Sequence, residues 1–494
     1  MRGNARTLGE TFKKEGGKIF DSGSRATIAI VFFVKDTSVK NGAIHYYDIG
    51  DYLKREEKLN RLANFTDLDA IPFEKIIPNA KGDWINQRED AFDKLIALKR
   101  DKKLKIFNTI FDLNSNGVTT NRDPWVYNFS QKILTQSVQK CIDTYNADLK
   151  RFNARFREAF KQCAKGVIKS ADLYKQLNDS EITTDKTKIA WTDGLKNNLI
   201  KNKNLQESHK DRMRLAMYRP FNKQWLYWDK NWINRQYQLP KIFPDKSACN
   251  VVINTSSMAS RNFSCLIANE ITDLQTMANN QAYPLYYYDD LGNRHYAISG
   301  YALNLFRKHY EDNSIAEEEI FYYIYAILHH KCYLEKYKNS LAKEDPRIAL
   351  SEDFKELSVL GKELAKLHLN YESGEMHTSV EYKTLMNAEE EGYYDVEKMQ
   401  KKEMKKGECS IIYNKNITIT KIPKKAFDYV VNGKSAIDWV IKLYQKTMDK
   451  ESLIENNPND YAGSQYVFEL LCRVIKLSEK SVDLIEKISE KRFE

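Results

Sequence analysis

Residues 217–244 read MYRPFNKQWLYWDKNWINRQYQLPKIFP. Trp225, Trp228, Trp232, Tyr218, Tyr227, Tyr237, Phe221 and Phe243 stand there among Arg219, Lys223, Lys230, Arg235 and Lys241, with Asp229 the only acid. Short strand-like segments follow at 250–254, 263–268 and 283–288, with Gly, Pro or Asn near their ends. That pattern reads as an irregular α+β unit over 215–288. Cationic forks beside flat aromatic faces suit nucleic acid, because phosphates attract Lys and Arg and base edges accept bidentate Arg bonds. The same composition also suits an aromatic core rimmed by solvated charge.

Upstream, periodicity predicts a long helix over 130–160, with Ile133, Val138, Ile142, Tyr145 and Leu149 as its apolar stripe and no Pro or Gly to break it. Shorter helices are predicted over 54–63 and 88–100, and a polar turn region over 112–124. Near the start, Gly16-Gly17 and the turn Asp21-Ser22-Gly23-Ser24-Arg25 frame a hairpin, and the apolar run ATIAIVFFV at 26–34 reads as a strand buried on both faces. Downstream, helices are predicted over 316–341, 351–369, 435–448 and 464–477, a charged exposed stretch over 387–407, and a hairpin over 409–420 with Asn-Lys-Asn at its turn.

The 494 residues suggest about three domains, or two large ones. A net charge of +10 permits a polyanionic partner without demanding one. The most apolar stretch, 320–328, is far shorter than the ~20 residues that span a bilayer, and MRGNARTLGE lacks the apolar centre of a signal peptide. No membrane association and a cytoplasmic location are expected. Seven scattered cysteines form no CxxC pair and read as free thiols in a reducing compartment. His329-His330 are adjacent on a predicted helix and point about 100° apart, a poor start for a metal site.

Gly433-Lys434-Ser435 resembles the end of a phosphate loop, but Asp428 stands where the first glycine belongs. Ser435 reads instead as the N-cap of the helix that begins AIDWV. No GxGxxG, HExxH, GxSxG or paired-carboxylate motif occurs, so these residues show no catalytic centre of their own.

The opening RGNARTLGETFKKEGGKIFDSGSRATIAIVFFVKD is similar to the back half of the adenine-N6 DNA methyltransferase domain of type ISP restriction-modification enzymes. Residues 46–56 (YYDIGDYLKRE), the Tyr218-Arg219-Pro220-Phe221 block with Trp225-Leu226-Tyr227, residues 281–287, Asp345-Pro346-Arg347-Ile348, VNGKSAIDWV at 431–440 and Asn457-Pro458-Asn459-Asp460 continue the resemblance over nearly the whole chain. VNGKSAIDWV is its most specific marker.

The resemblance implies an α+β chain: a remnant of a methyltransferase α/β sheet, then a mixed, largely helical specificity domain. The implied domains are a methyltransferase remnant over 1–60, a helical connector over 61–165 and a target-recognition domain over 166–494. It also implies a chain that begins inside the methyltransferase domain, since neither the glycine-rich S-adenosylmethionine loop nor an NPPY tetrad is present. S-adenosylmethionine, ATP and Mg are then expected in the upstream domains and no cofactor in these residues.

The implied role is sequence-specific recognition of double-stranded DNA, presenting a target adenine to a methyltransferase core located elsewhere. Arg219, Lys223, Arg235 and Lys241 are the expected DNA contacts, with Arg122 in the turn at 121–124 a further candidate. Ser24 and Arg25 resemble the loop near the target-base pocket of adenine methyltransferases and are expected to touch the extruded nucleotide or its phosphate. Alternatives are an enzyme half that restores methylation or restriction in trans with an upstream nuclease-helicase-methyltransferase polypeptide, an inactive remnant of a disrupted gene, and a single-stranded RNA binder.

Overall fold

The computed structural model describes residues 28–38, 42–101, 103, 105–166, 182–257, 263–383, 392–403 and 408–494. Internal contacts divide the chain into two compact units, Met1–Leu95 with Glu335–Glu344, and Ile96–Leu334 with Asp345–Glu494. The expected hairpin at 16–25, with Phe20, Ser24 and Arg25, lies outside the described residues.

In the first unit an antiparallel pair joins Ile44–Tyr46 to Glu74–Ile76, and the helix Arg55–Ala63 falls where its spacing places it. Asp83 ties this unit together, accepting from Arg88 Nε at 2.8 Å and lying 3.0 Å from Lys343 Nζ. The Arg88 hydrogen bond holds its carboxyl well below the usual carboxylate range. The strand expected at 26–34 is not formed over its described part, 28–34, where Phe33 is 90% and Val34 88% exposed. A strand exists only by pairing, and among the described residues no strand lies beside this run.

The helix expected over 88–100 is also replaced. A 3-10 turn spans Asp90–Lys94, and Ile96–Ala97 then pairs antiparallel with Arg347–Ile348. Local spacing cannot reveal a partner so remote in sequence.

The second unit is α+β, as expected. Its helix Gln131–Ala164 buries Leu134, Val138, Cys141, Ile142, Tyr145, Leu149 and Phe152 on one stripe. That stripe packs in the same core as a four-stranded sheet ordered Ile271–Thr272, Met213–Arg219, Asn222–Tyr227, Tyr127–Asn128. A second four-stranded sheet is ordered Ser115–Asn116, Gln281–Pro284, Val252–Thr255, Cys265–Ala268. Its last three strands are buried at every residue, the polar Asn254, Thr255 and Gln281 included. Gly117 lets the chain leaving Ser115–Asn116 run against residues 272–274, because a Cβ there would collide with the Asp273 carbonyl.

The expected hairpin over 409–420 forms from Glu408–Ile412 and Ile417–Pro423, flanked by Val380–Tyr382 and Gln400–Glu403. In the charged stretch 387–407, residues 387–391 and 404–407 are not described, and Tyr393, Val396 and Met399 are buried rather than exposed. The single helix expected over 316–341 is three: Glu317–Ile327, Lys331–Lys336 and Lys338–Leu341. The first break falls at Leu328-His329-His330, whose imidazoles reach in different directions, His329 Nδ1 to the Tyr325 carbonyl at 2.8 Å and His330 Nε2 to the Lys491 carbonyl at 2.9 Å. The predicted C-terminal helix is longer than its local pattern, running Tyr466–Ser489.

Candidate nucleic-acid interface

The hairpin Met213–Arg219/Asn222–Tyr227 turns through Pro220-Phe221, with Phe221 in the left-handed region at φ 57°. A register shift between Met217 and Arg219 bulges the first strand at Tyr218. The bulge sends the Tyr218 hydroxyl to Asp123 Oδ2 at 3.0 Å and stacks the Arg219 guanidinium on the Tyr218 ring at 3.8 Å. Arg219 Nη1 donates to Asp273 Oδ1 at 2.8 Å, and Asp123 lies 3.7 Å from Nη2. Burial pushes the Asp273 carboxyl up to about 7, against the downward pull of Arg219.

Lys223, across the turn, is 6% exposed. Its ammonium lies 2.5 Å from Glu270 Oε1 and 2.5 Å from Glu372 Oε2, and the Tyr466 hydroxyl donates to Glu372 at 2.5 Å. Burial alone would lower the Lys223 pKa, but the two carboxylates outweigh it and raise it. Arg219 and Lys223 thus face acids supplied by their own fold, while Arg214, in the same hairpin, donates to the Asp245 backbone carbonyl.

The next segment behaves in the opposite way. Asp229 starts it, pairing with Arg212 and accepting from the Asn231 N–H at 2.7 Å through its side chain and from the Trp232 N–H at 2.9 Å through its carbonyl. Trp232 and Ile233 point into the core, at 2% and 4% exposure, and Leu239 and Ile242 anchor the far side at 0%. Between these anchors the Arg235 N–H donates to the Thr119 carbonyl at 2.9 Å, the Thr119 N–H donates back at 3.0 Å, and the Gln238 N–H donates to Ser115 Oγ at 3.0 Å. The backbone is therefore fixed while Lys230, Asn234, Arg235 and Tyr237 are exposed and Gln236 half-buried. Together with Ile233 they line an open recess of ≈ 590 Å³. Lys241 is exposed on the short helix Leu239–Ile242, 3.3 Å from Asp290.

Arg122 lies beneath this loop, 3% exposed, its guanidinium 5.3 Å from the Trp232 ring centre and its Nη2 bonded to Thr192 Oγ1. Burial pushes its pKa down to about 10, and its Nε and Nη1 have no hydrogen-bond partner among the described residues. It is placed to brace Trp232 rather than to reach solvent.

Of the sequence candidates, the structure thus gathers Arg235 and Lys241 on one exposed segment, sets Arg219 and Lys223 among acids, and buries Arg122. Asn234 and Gln236 were not singled out in the sequence. The available signal was Asn-Arg-Gln, three consecutive polar residues interrupting an aromatic run.

Ser435 caps the helix Ala436–Leu443, its Oγ accepting from the Asp438 N–H at 3.0 Å. The preceding Val430–Val431/Lys434–Ser435 pair turns through Asn432 and Gly433 at φ 49° and 79°, which suits a type I′ hairpin. The Asn432 N–H donates to Ser264 Oγ at 2.8 Å, and the Trp439 indole N–H to the Val431 carbonyl at 2.7 Å. The VNGKSAIDWV run is therefore a packing joint.

A search of curated proteins finds no match. The family model described as the type ISP C-terminal specificity domain matches residues 109–470. Among solved structures, a nuclease-deletion mutant of the type ISP restriction-modification enzyme LlaGI in complex with a DNA substrate mimic is 34% identical with a TM-score of 0.84, over 100% of this chain and 43% of that one. The ATP-dependent type ISP enzyme LlaBIII bound to DNA is 34% identical with a TM-score of 0.76, over 92% of this chain and 28% of that one. A DrdV–DNA complex is 30% identical with a TM-score of 0.81, over 99% of this chain and 47% of that one. The chain spans less than half the length of each of these. Among the described residues no helix is long and apolar enough to cross a membrane. On the match over 109–470 and these likenesses over nearly its full length, the chain belongs to the type ISP restriction-modification family and carries its C-terminal specificity domain.

Proposed function

We propose that this chain recognises a sequence in double-stranded DNA as the specificity part of a type ISP restriction-modification enzyme, and presents a target adenine to the methyltransferase core of that enzyme. The observation that carries the reading is the fixed loop at 230–237, which turns cations, amides and an aromatic ring outward on a specificity-domain fold. The likeness to solved structures bound to DNA supports it. Lys230 and Lys241 act on phosphates and hold the register, while the residues between them face base edges. S-adenosylmethionine, ATP and Mg²⁺ belong, in this proposal, to the other domains of the enzyme.

The test is selection of bound duplexes from a pool with a randomised core, set against single-stranded competitor at several salt concentrations. The expected result is one enriched motif, preferred over random duplex by at least ~10³-fold. A folded chain that enriches no motif, or that prefers single strands, overturns the proposal.

A further inference from the structure

We infer that Asn234, Arg235 and Gln236 are the sequence-reading side chains of this domain, and that they read purines, with a guanine under Arg235. The inference rests on the DNA-recognition reading above and specifies how that site discriminates.

Three observations converge. The first is chemical: Arg pairs bidentately with guanine O6 and N7, and Asn and Gln pair bidentately with adenine N6 and N7. Here the three side-chain types are consecutive. The second is their freedom. Among the described residues, the side chains of Asn234, Arg235 and Gln236 make no hydrogen bond and Arg235 no ion pair, although Arg219 and Lys223 a few positions earlier are both bonded to carboxylates. Donors and acceptors left open on a surface remain available to a base edge. The third is rigidity. The paired Thr119 bonds at 2.9 and 3.0 Å, the Ser115 bond to Gln238 and the buried Trp232 and Leu239 fix the backbone on either side. A display whose backbone is already ordered loses little further freedom on binding.

Tyr237 adds to this. It holds φ at 50° while 44% exposed, an unusual conformation for an aromatic residue, and it lines the same recess as the three polar side chains. Strain kept at an exposed position points to a task at that position.

The deciding experiment repeats the randomised-duplex selection with the whole chain and its Arg235→Ala and Arg235→Lys variants, with thermal melting as the control for folding. The expected outcome is that the wild-type motif holds a guanine whose preference over other bases falls about 5- to 150-fold in Arg235→Ala, while the rest of the motif persists. Arg235→Lys keeps the charge but not the fork, and should lose most of the same preference. Asn234→Ala and Gln236→Ala should each relax an adjacent adenine position. If Arg235→Ala weakens all sequences equally and lowers the salt slope by about one, the residue is a phosphate contact and the inference is overturned. If Arg235→Lys retains full guanine preference, the bidentate reading fails. If the wild-type chain itself enriches no motif, the DNA-recognition proposal falls first, and with it this one.

Discussion

Residues 213–227 and 229–241 are adjacent in the chain and alike in composition, yet Arg219 and Lys223 in the first and Lys230 and Arg235 in the second are used in opposite directions. In the hairpin, Arg219 is held by Asp273 and Asp123, and Lys223 by Glu270 and Glu372. In the loop, Lys230 and Arg235 stay outside and the hydrophobic anchors go in. The difference follows from backbone geometry. A strand inside a sheet sends alternate side chains to a buried face, where a cation survives only with a carboxylate beside it. A loop stapled at its feet can turn a run of consecutive polar residues toward solvent. Charge on its own therefore says little about which lysine or arginine meets a ligand.

The sharpest way to break this contrast is to remove a hairpin cation. Lys223→Met leaves Glu270 and Glu372 facing each other at a buried site, and we expect it to cost about 3–5 kcal/mol of stability. Urea denaturation of the variant measures this. Its loss of DNA binding, if any, should track the unfolded fraction. A variant that melts with the wild type but no longer binds would place Lys223 on the DNA side and erase the distinction.

A second test uses pH. Asp273 is pushed up to about 7 in the fold by burial, whereas an unfolded aspartate titrates near 4. The fold therefore binds this proton more tightly than the unfolded chain does. The stabilisation is complete below about 4 and is lost as pH rises through about 7, with a slope of at most about 1.4 kcal/mol per pH unit from this one group. Asp273→Asn cannot titrate, so its stability should fall less steeply than the wild type between pH 5 and 7. Identical slopes would show that Arg219 keeps Asp273 ionised throughout that range.

How much of this was open to sequence reading depends on where each signal resides. The helix at Gln131–Ala164 and the cap at Ser435 are local: a stripe of period 3.6 and a hydroxyl three residues before an N–H suffice to show them. The hairpin of Glu408–Ile412 and Ile417–Pro423 is nearly local, its two strands separated by a single turn. The pairing of Ile96–Ala97 with Arg347–Ile348 is not, and neither are the acids that hold Lys223. The aromatic, cationic composition of 217–244 marked a neighbourhood that holds an exposed polar segment. It could not say which cations turn inward, because Asp273, Glu270 and Glu372 come from other parts of the chain. The apolar run at 26–34 gave a strand signal with no partner strand among the described residues to complete it.

The mildest test compares the two lysines that flank the loop. Lys230 is exposed with no ion pair among the described residues, whereas Lys241 lies 3.3 Å from Asp290. Both sit outside the core, so Lys230→Ala and Lys241→Ala should each leave the melting midpoint nearly unchanged, a shift within about 0.5 kcal/mol. On DNA they should differ. A lysine on a phosphate releases about one counterion, so Lys230→Ala should lower the slope of log affinity against log salt by about 0.9, equally for all sequences. Lys241 already shares its charge with Asp290 and should contribute less, and Asp290→Asn should bring it up toward Lys230 by removing the competing acid. Equal slopes for both lysine variants, unmoved by Asp290→Asn, would mean that the carboxylate gives way on binding. The inward-held and outward-held cations would then differ by burial alone, and the acids would matter only where water is excluded.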